Sequence, residues 1–203
     1  GKIYGLAFIT LVAAASASVI HEDVCPDLKA VENFNLTAYQ GVWYEIAKFP
    51  TEAEKDGKCG SAEYTLDGNI VKVKNTHVVK GIQTYIEGTA KFAENANNSA
   101  KLIVTFKFGD VTRDTPLSVL ATDYTNYAFA YNCKYDEKKK SHQDFAWVLS
   151  RTKVLDGEPR KAVDNFLKLH AKEIDESKFV NTDFSEEACK FTGTSLITES
   201  PRA

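Results

Sequence analysis

A chain of 203 residues, 43% hydrophobic, is long enough for one domain with a sizeable core. Its 25 Lys and Arg against 28 Asp and Glu give a formal charge of −3, a mildly acidic balance that lacks the basic footprint of a nucleic-acid or membrane-surface binder. The basic run Lys138-Lys139-Lys140 follows Asp136 and Glu137 and reads as a solvated hairpin loop.

Residues 1–17 have the organisation of a secretory signal peptide: Lys2 at the start, an apolar stretch from Leu6 to Ala15, and the small-residue cleavage pattern Ala15-Ser16-Ala17. The apolar run is too short for a transmembrane anchor, and no other run approaches ~18 residues. Residues 18–203 are then the mature domain, with 24 basic and 28 acidic residues. Four cysteines remain there: Cys25, Cys59, Cys133 and Cys189. An even number in an exported chain implies two disulfides, with three connectivities open. The sequons at Asn35 and Asn97 are candidate glycosylation sites.

Alternating apolar and polar residues predict eight strands at about 42–50, 61–66, 70–78, 82–92, 101–108, 116–122, 127–135 and 143–150. Asp67-Gly68-Asn69, Lys80-Gly81, Glu94 to Ser99, Gly109-Asp110 and Thr125-Asn126 punctuate them with turn chemistry. Glu158-Pro159 opens a helix to about His170, since proline is tolerated in a first turn. Val163, Phe166, Leu167 and His170 form its apolar stripe, which should pack outside the strands. The pattern is all-β: an eight-stranded antiparallel up-and-down barrel with one C-terminal helix and no second domain.

Strand parity assigns the interior. Lys72 and Lys74 mark the outside of the third strand, so Val71, Val73, Asn75 and His77 face in. Leu102, Val104, Phe106 and Phe108 face in on the fifth strand, and Gln143, Phe145, Trp147 and Leu149 on the eighth, with Asp144 on the other side. On the seventh, Ala128, Ala130 and Asn132 are taken as interior, leaving Phe129, Tyr131 and Cys133 outside. The up-down count then puts Asn75, His77, Phe106, Phe108, Asn132, Gln143 and Phe145 towards the open end. Ala128 and Ala130 leave room that a packed core would fill, and an eight-stranded barrel can hold one small ligand.

The same count brings Gly41-Val42-Trp43, Thr122-Asp123-Tyr124 and Ser150-Arg151 to the other end. These three segments, in this order, resemble the motifs of the lipocalin family. Longer stretches are similar to its insect bilin-binding protein and insecticyanin group: Asp56 to Gly60, Phe106 to Gly109, Leu120 to Tyr124, Asn132 to Asp136, His142 to Arg151, Lys153 to Leu155 and Asp183 to Cys189. The resemblance implies Trp43 as the plug of the closed end with Arg151 over its ring, and the pairings Cys25–Cys133 and Cys59–Cys189. The outward parity of Cys133 agrees with the first pairing.

It also implies a secreted blue pigment protein of haemolymph or epidermis, serving colouration or camouflage. Its cofactor would be biliverdin, the IX-gamma isomer, held non-covalently. Such a ligand suits walls of Ile86, Phe106, Phe108, Phe145 and Trp147, with Asn75, His77, Asn132 and Gln143 as polar partners and Arg113 and Lys134 meeting its propionates at the mouth. Residues 51–54, in the first open-end loop, could form part of a lid. The runner-up is another hydrophobic ligand: haem ligated by His77, a carotenoid, a fatty acid or a sterol. The chain carries no Gly-x-Ser-x-Gly elbow and no metal-spaced histidine pair, so neither an enzyme nor a metal protein is expected. The expected partner is a small hydrophobic ligand rather than nucleic acid or membrane, with homo-oligomerisation left open.

Overall fold

The computed structural model describes residues 18–200, so the expected signal segment lies outside the described residues. In chain order the elements are β1 (Val19–Glu22), α1 (Leu36–Tyr39), β2 (Gly41–Lys48), β3 (Lys58–Asp67), β4 (Ile70–Val79), β5 (Ile82–Phe92), β6 (Lys101–Phe108), β7 (Val111–Thr122), β8 (Tyr127–Asp136), β9 (Ser141–Ser150), α2 (Gly157–Leu169), β10 (Val180–Asn181), α3 (Glu186–Cys189) and β11 (Gly193–Leu196). Strands β2 to β9 each pair antiparallel with their sequence neighbours, and β9 returns to pair with β2. The ring closes as an eight-stranded barrel, the architecture expected from the alternation.

Closure is incomplete near the open end, and three short strands cover what it leaves. Only Trp147 to Ser150 of β9 pair with β2; the other half of β9 pairs with β1, His21 lying opposite His142. β10 pairs antiparallel with the last two residues of β2, Ala47 and Lys48. Strands β5 and β6 pair only from Gly88 and Phe106 inward, and β11 runs parallel to the bare stretch of β5. Each additional strand takes up backbone groups that an exposed edge would offer to other chains. None of the three carries enough alternation to be predicted. The first half of β7, Val111 to Asp114, was also not expected as strand. It is exposed on both faces, so no apolar periodicity marks it.

Two apolar layers result. Inside, Trp43, Tyr64, Val73, Leu102, Val104, Ala128, Ala130 and Leu149 share the barrel core with Phe34 and Tyr39 of the amino-terminal arm. Outside, Phe129 and Tyr131 pack under α2, the Phe129 and Phe166 rings 4.9 Å apart and Val163 and Leu167 buried. Small residues inside and large ones outside on β8 therefore leave a hollow in the barrel while the helix supplies a second core. The disulfides join Cys25 to Cys133 and Cys59 to Cys189, tying both terminal arms to the wall. With separations of 108 and 130 residues, each contributes about 2–5 kcal/mol by restricting the unfolded chain.

Strand β2 carries an irregularity that matters for the site. Its register against β9 shifts between Glu45 and Ala47, leaving Ile46 as an extra residue. Trp43 and Glu45 face the interior; Ile46 and Ala47 both join the outer layer, and the next residue, Lys48, turns back in towards Glu45. Simple alternation from Trp43 would have put Lys48 outside.

Candidate functional site

The closed end shows why its three segments belong together. Trp43 is fully buried and donates from Nε1 to the Tyr39 carbonyl at 3.0 Å. The Arg151 guanidinium lies 3.7 Å from the Trp43 ring centroid, a cation over an indole face. Its nitrogens donate to the carbonyls of Tyr124 (3.1 Å), Val42 (3.1 Å) and Ala38 (3.2 Å), so one side chain ties the arm, β2 and the β7–β8 turn. Gly41, at φ +102°, leaves Arg151 its place: a Cβ there would lie 3.0 Å from Nη1. In the turn, the Asp123 carboxylate accepts from the backbone N–H groups of Asn126 (2.8 Å) and Tyr127 (3.0 Å), and Thr122 Oγ1 donates to the Tyr127 carbonyl (2.7 Å). Tyr124 stacks on Phe34 and its hydroxyl accepts from the Asn35 N–H. Asn35 is also the N-cap of α1; both it and Asn97 are exposed.

Above this plug the barrel holds a two-lobed cavity. One lobe, about 730 Å³, runs from a floor of Tyr64, Val73, Val104 and Leu149 up past Asn132 and Trp147. The other, about 480 Å³, lies under the loop of residues 51–57 and is walled by His77, Ile86, Phe108 and Gln143. Asn75, Phe106, Arg113, Lys134 and Phe145 border both lobes. Arg113 and Lys134 are exposed at the rim, so an anionic group could meet them with little loss of hydration. All eleven residues read from the sequence as a ligand set therefore border this space. The cavity volumes match those of small-molecule sites, and the lining combines apolar walls with a few polar groups.

Sequence reasoning missed the charged network at the mouth. The buried carboxylate of Glu45 accepts from His77 Nε2 at 2.9 Å; Lys48 Nζ stands 3.9 Å from Glu45 and 3.1 Å from Glu54 of the overlying loop. Glu45 was legible in principle, two residues beyond an interior Trp43. Lys48 was not, because the Ile46 bulge reverses its side. Gly60 makes room for the pair: a Cβ there would lie 2.4 Å from Glu45 Oε2. His77, read as a polar partner for a ligand, is thus committed first to Glu45.

Burial raises the Glu45 carboxyl, yet the hydrogen bond and charge of His77, with Lys48, outweigh it and hold the group below its ordinary 4.5. Burial lowers the His77 imidazole, yet Glu45 and Glu54 outweigh it and hold the group above 6.5. The stabilisation from Glu45 is present above its unfolded pKa and lost as pH falls through its depressed folded value. That from His77 is full below its unfolded pKa and lost as pH rises through its raised folded value. Urea denaturation across about pH 3 to 10 should show a stability maximum between those two values. His77→Gln is expected to flatten its alkaline limb, and an unchanged limb would show that the pair contributes nothing there.

The comparisons with known proteins agree with this geometry. Residues 40–186 match the model of the lipocalin / cytosolic fatty-acid binding protein family. The bilin-binding protein of Pieris brassicae is 50% identical over 185 residues, covering 91% of this chain and 97% of that protein. Insecticyanin-B of Manduca sexta is 44% identical over 192 residues, covering 94% and 93% respectively. The solved structure of insecticyanin from the tobacco hornworm, Manduca sexta, superposes with a TM-score of 0.87 at 44% identity, covering 92% of this chain and all of that one.

Proposed function

The chain belongs to the lipocalin / cytosolic fatty-acid binding protein family, and on that premise we propose that it is a secreted carrier holding biliverdin non-covalently in its barrel, a blue pigment protein for colouration or camouflage. The observation that carries the proposal is the two-lobed apolar cavity with its polar, cationic rim. The bilin-binding protein among its relatives points to the same ligand class. Phe106 and Phe145, at the junction of the lobes, and Phe108, Ile86 and Trp147 beyond it take the faces of the conjugated system. Asn75, Asn132 and Gln143 supply hydrogen bonds to lactam and pyrrole groups, and Arg113 and Lys134 meet the propionates. The IX-gamma isomer is the one its resemblance to the insect pigment group implies.

Four features support the finer points. Among the described residues no cysteine is free, which leaves no thiol for a thioether link to the pigment or for thiol catalysis. The reading is a carrier, in keeping with the carrier-type relatives that the chain resembles. Two disulfides suit an oxidising, extracellular compartment. No described helix is long and apolar enough to cross a membrane. Haem ligation would draw on His77, whose Nε2 is already held by Glu45.

The test is the absorption spectrum of the protein isolated from its own source, joined to a titration of the pigment-free protein with biliverdin. Bands in the near ultraviolet and red, with tryptophan fluorescence quenched to saturation at one equivalent, are expected. A sharp Soret band, or a colourless protein that takes up fatty acid or sterol but not biliverdin, would overturn the reading.

A further inference from the structure

The barrel wall is split on one side. Strands β5 and β6 pair from Phe92 and Leu102 only as far as Gly88 and Phe106. Beyond that point no ladder joins them, although Ile86 on one bank and Phe108 on the other both wall the lobe under the loop of residues 51–57.

The segment that follows the Cys59–Cys189 disulfide fills this split. The Thr192 N–H donates to the Gly81 carbonyl (2.9 Å), Gly193 to Leu196 pair with Ile82 to Tyr85, and the Ile197 N–H donates to the Tyr85 carbonyl (2.9 Å). Among the described strands β11 pairs with β5 alone. Towards β6 its end only approaches the turn into β7, the Thr198 carbonyl oxygen lying 3.9 Å from where a Gly109 Cβ would stand. Ile197 reaches the same lobe as Ile86 and Phe108.

The two covers of this lobe are anchored unequally. The loop of residues 51–57 is held from below by the buried Lys48, whose Nζ stands 3.1 Å from the Glu54 carboxylate. The Gly57 N–H donates to the Glu54 carbonyl (3.0 Å), and just beyond, the Cys59 N–H donates to the Asp183 carbonyl (3.0 Å) beside the disulfide. Residues 193–198, by contrast, lean on one strand. Thr194, Ser195, Leu196 and Thr198 are exposed, and Ile197 alone among them is partly buried. A segment with few buried apolar contacts and wet backbone bonds opens at low cost in free energy. Its near end stays fixed at Cys189, so opening is a swing about that point. With β11 swung out, the banks of β5 and β6 stand about two interstrand spacings apart, roughly 10 Å. A flat conjugated ligand passes such a gap edge-on, while the loop stays in place.

We propose that residues 193–198 are a side gate of the cavity, sealed by Ile197, and that the ligand enters and leaves between β5 and β6 when this segment swings out. The proposal rests on the carrier reading above and adds the route by which that cavity is filled.

The test is a cross-link. Gln83 and Thr194 are register partners, and Gln83 Oε1 lies 3.5 Å from Thr194 Oγ1. Gln83→Cys combined with Thr194→Cys therefore puts two thiols on one face of adjacent strands, within reach of a disulfide. Stopped flow follows uptake and release of biliverdin by the pigment-free full chain, and of cis-parinaric acid as a second apolar probe. Serines at the same two positions give the control that cannot cross-link. Closing the disulfide, checked by mass, should slow uptake and release alike by about 10-fold or more and leave Kd within about 2-fold, because a gate sets rates and not the bound state. Ile197→Ala should speed release of both probes by about 3-fold or more, since the segment loses its one partly buried apolar side chain. If biliverdin is not taken up but cis-parinaric acid is released more slowly on cross-linking, the gate stands and the pigment reading falls. Unchanged rates in the cross-linked protein, faster exchange in Glu54→Gln alone, or uptake of neither probe would overturn the gate. Where the thiols stay unpaired, native release rates in Ile197→Ala overturn it.

Discussion

Trp43→Ala is expected to lower the unfolding free energy by about 3–5 kcal/mol, the range for truncating a fully buried aromatic ring. The loss goes beyond the missing area. The Trp43 ring meets both the Arg151 guanidinium and the Tyr39 ring, whose centroid is 5.2 Å away, and its N–H satisfies the Tyr39 carbonyl. Without the ring, Arg151 faces a void at the end of the barrel where the arm, β2 and the β7–β8 turn meet. Urea denaturation at neutral pH measures the change. A loss below about 1 kcal/mol would mean that the closed end is held by the amino-terminal arm rather than by this stack.

Phe106→Asp is expected to weaken biliverdin binding by about 100-fold or more, near 2.7 kcal/mol, while the barrel stays folded. Phe106 borders both lobes, so a carboxylate there meets the pigment at the centre of its path and must be desolvated when the ligand enters. Without ligand the position is only partly buried, so water from the mouth can hydrate the new charge. Fluorescence titration gives the affinity, and circular dichroism with a urea midpoint checks the fold. Native affinity and colour in this variant would sink the assignment of the cavity as the pigment site.

The contrast between these two positions follows from their depth in the barrel, and depth was legible before any coordinates. Period-two alternation with charges on one side located the inner faces of β4, β6 and β9. Counting strands up and down then sorted Trp43 to one end and His77 to the other. On β8 the choice of small residues as interior turned on the helix, whose stripe needed Phe129 and Tyr131 as its floor. The lining of the cavity was readable for the same reason, since parity and depth suffice to place side chains around it.

What the alternation could not supply are the places where it is broken or has no buried face to report on. The Ile46 bulge turns Lys48 inward and so creates the Glu45–His77–Lys48–Glu54 network. The rim of β7, wet on both sides, carries no pattern. Asp144 was placed on the correct side of β9 but not in its environment, because a four-residue strand from the far end of the chain covers it. The order of apolar and charged residues thus determined the barrel, its polarity and its two ends, because hydrophobic burial acts on each strand locally. Only the tertiary structure decided which charges lose their water and which polar atoms face one another, because such contacts join different strands and loops, 32 positions apart for Glu45 and His77 and 119 for Asp23 and His142, where local periodicity carries no information.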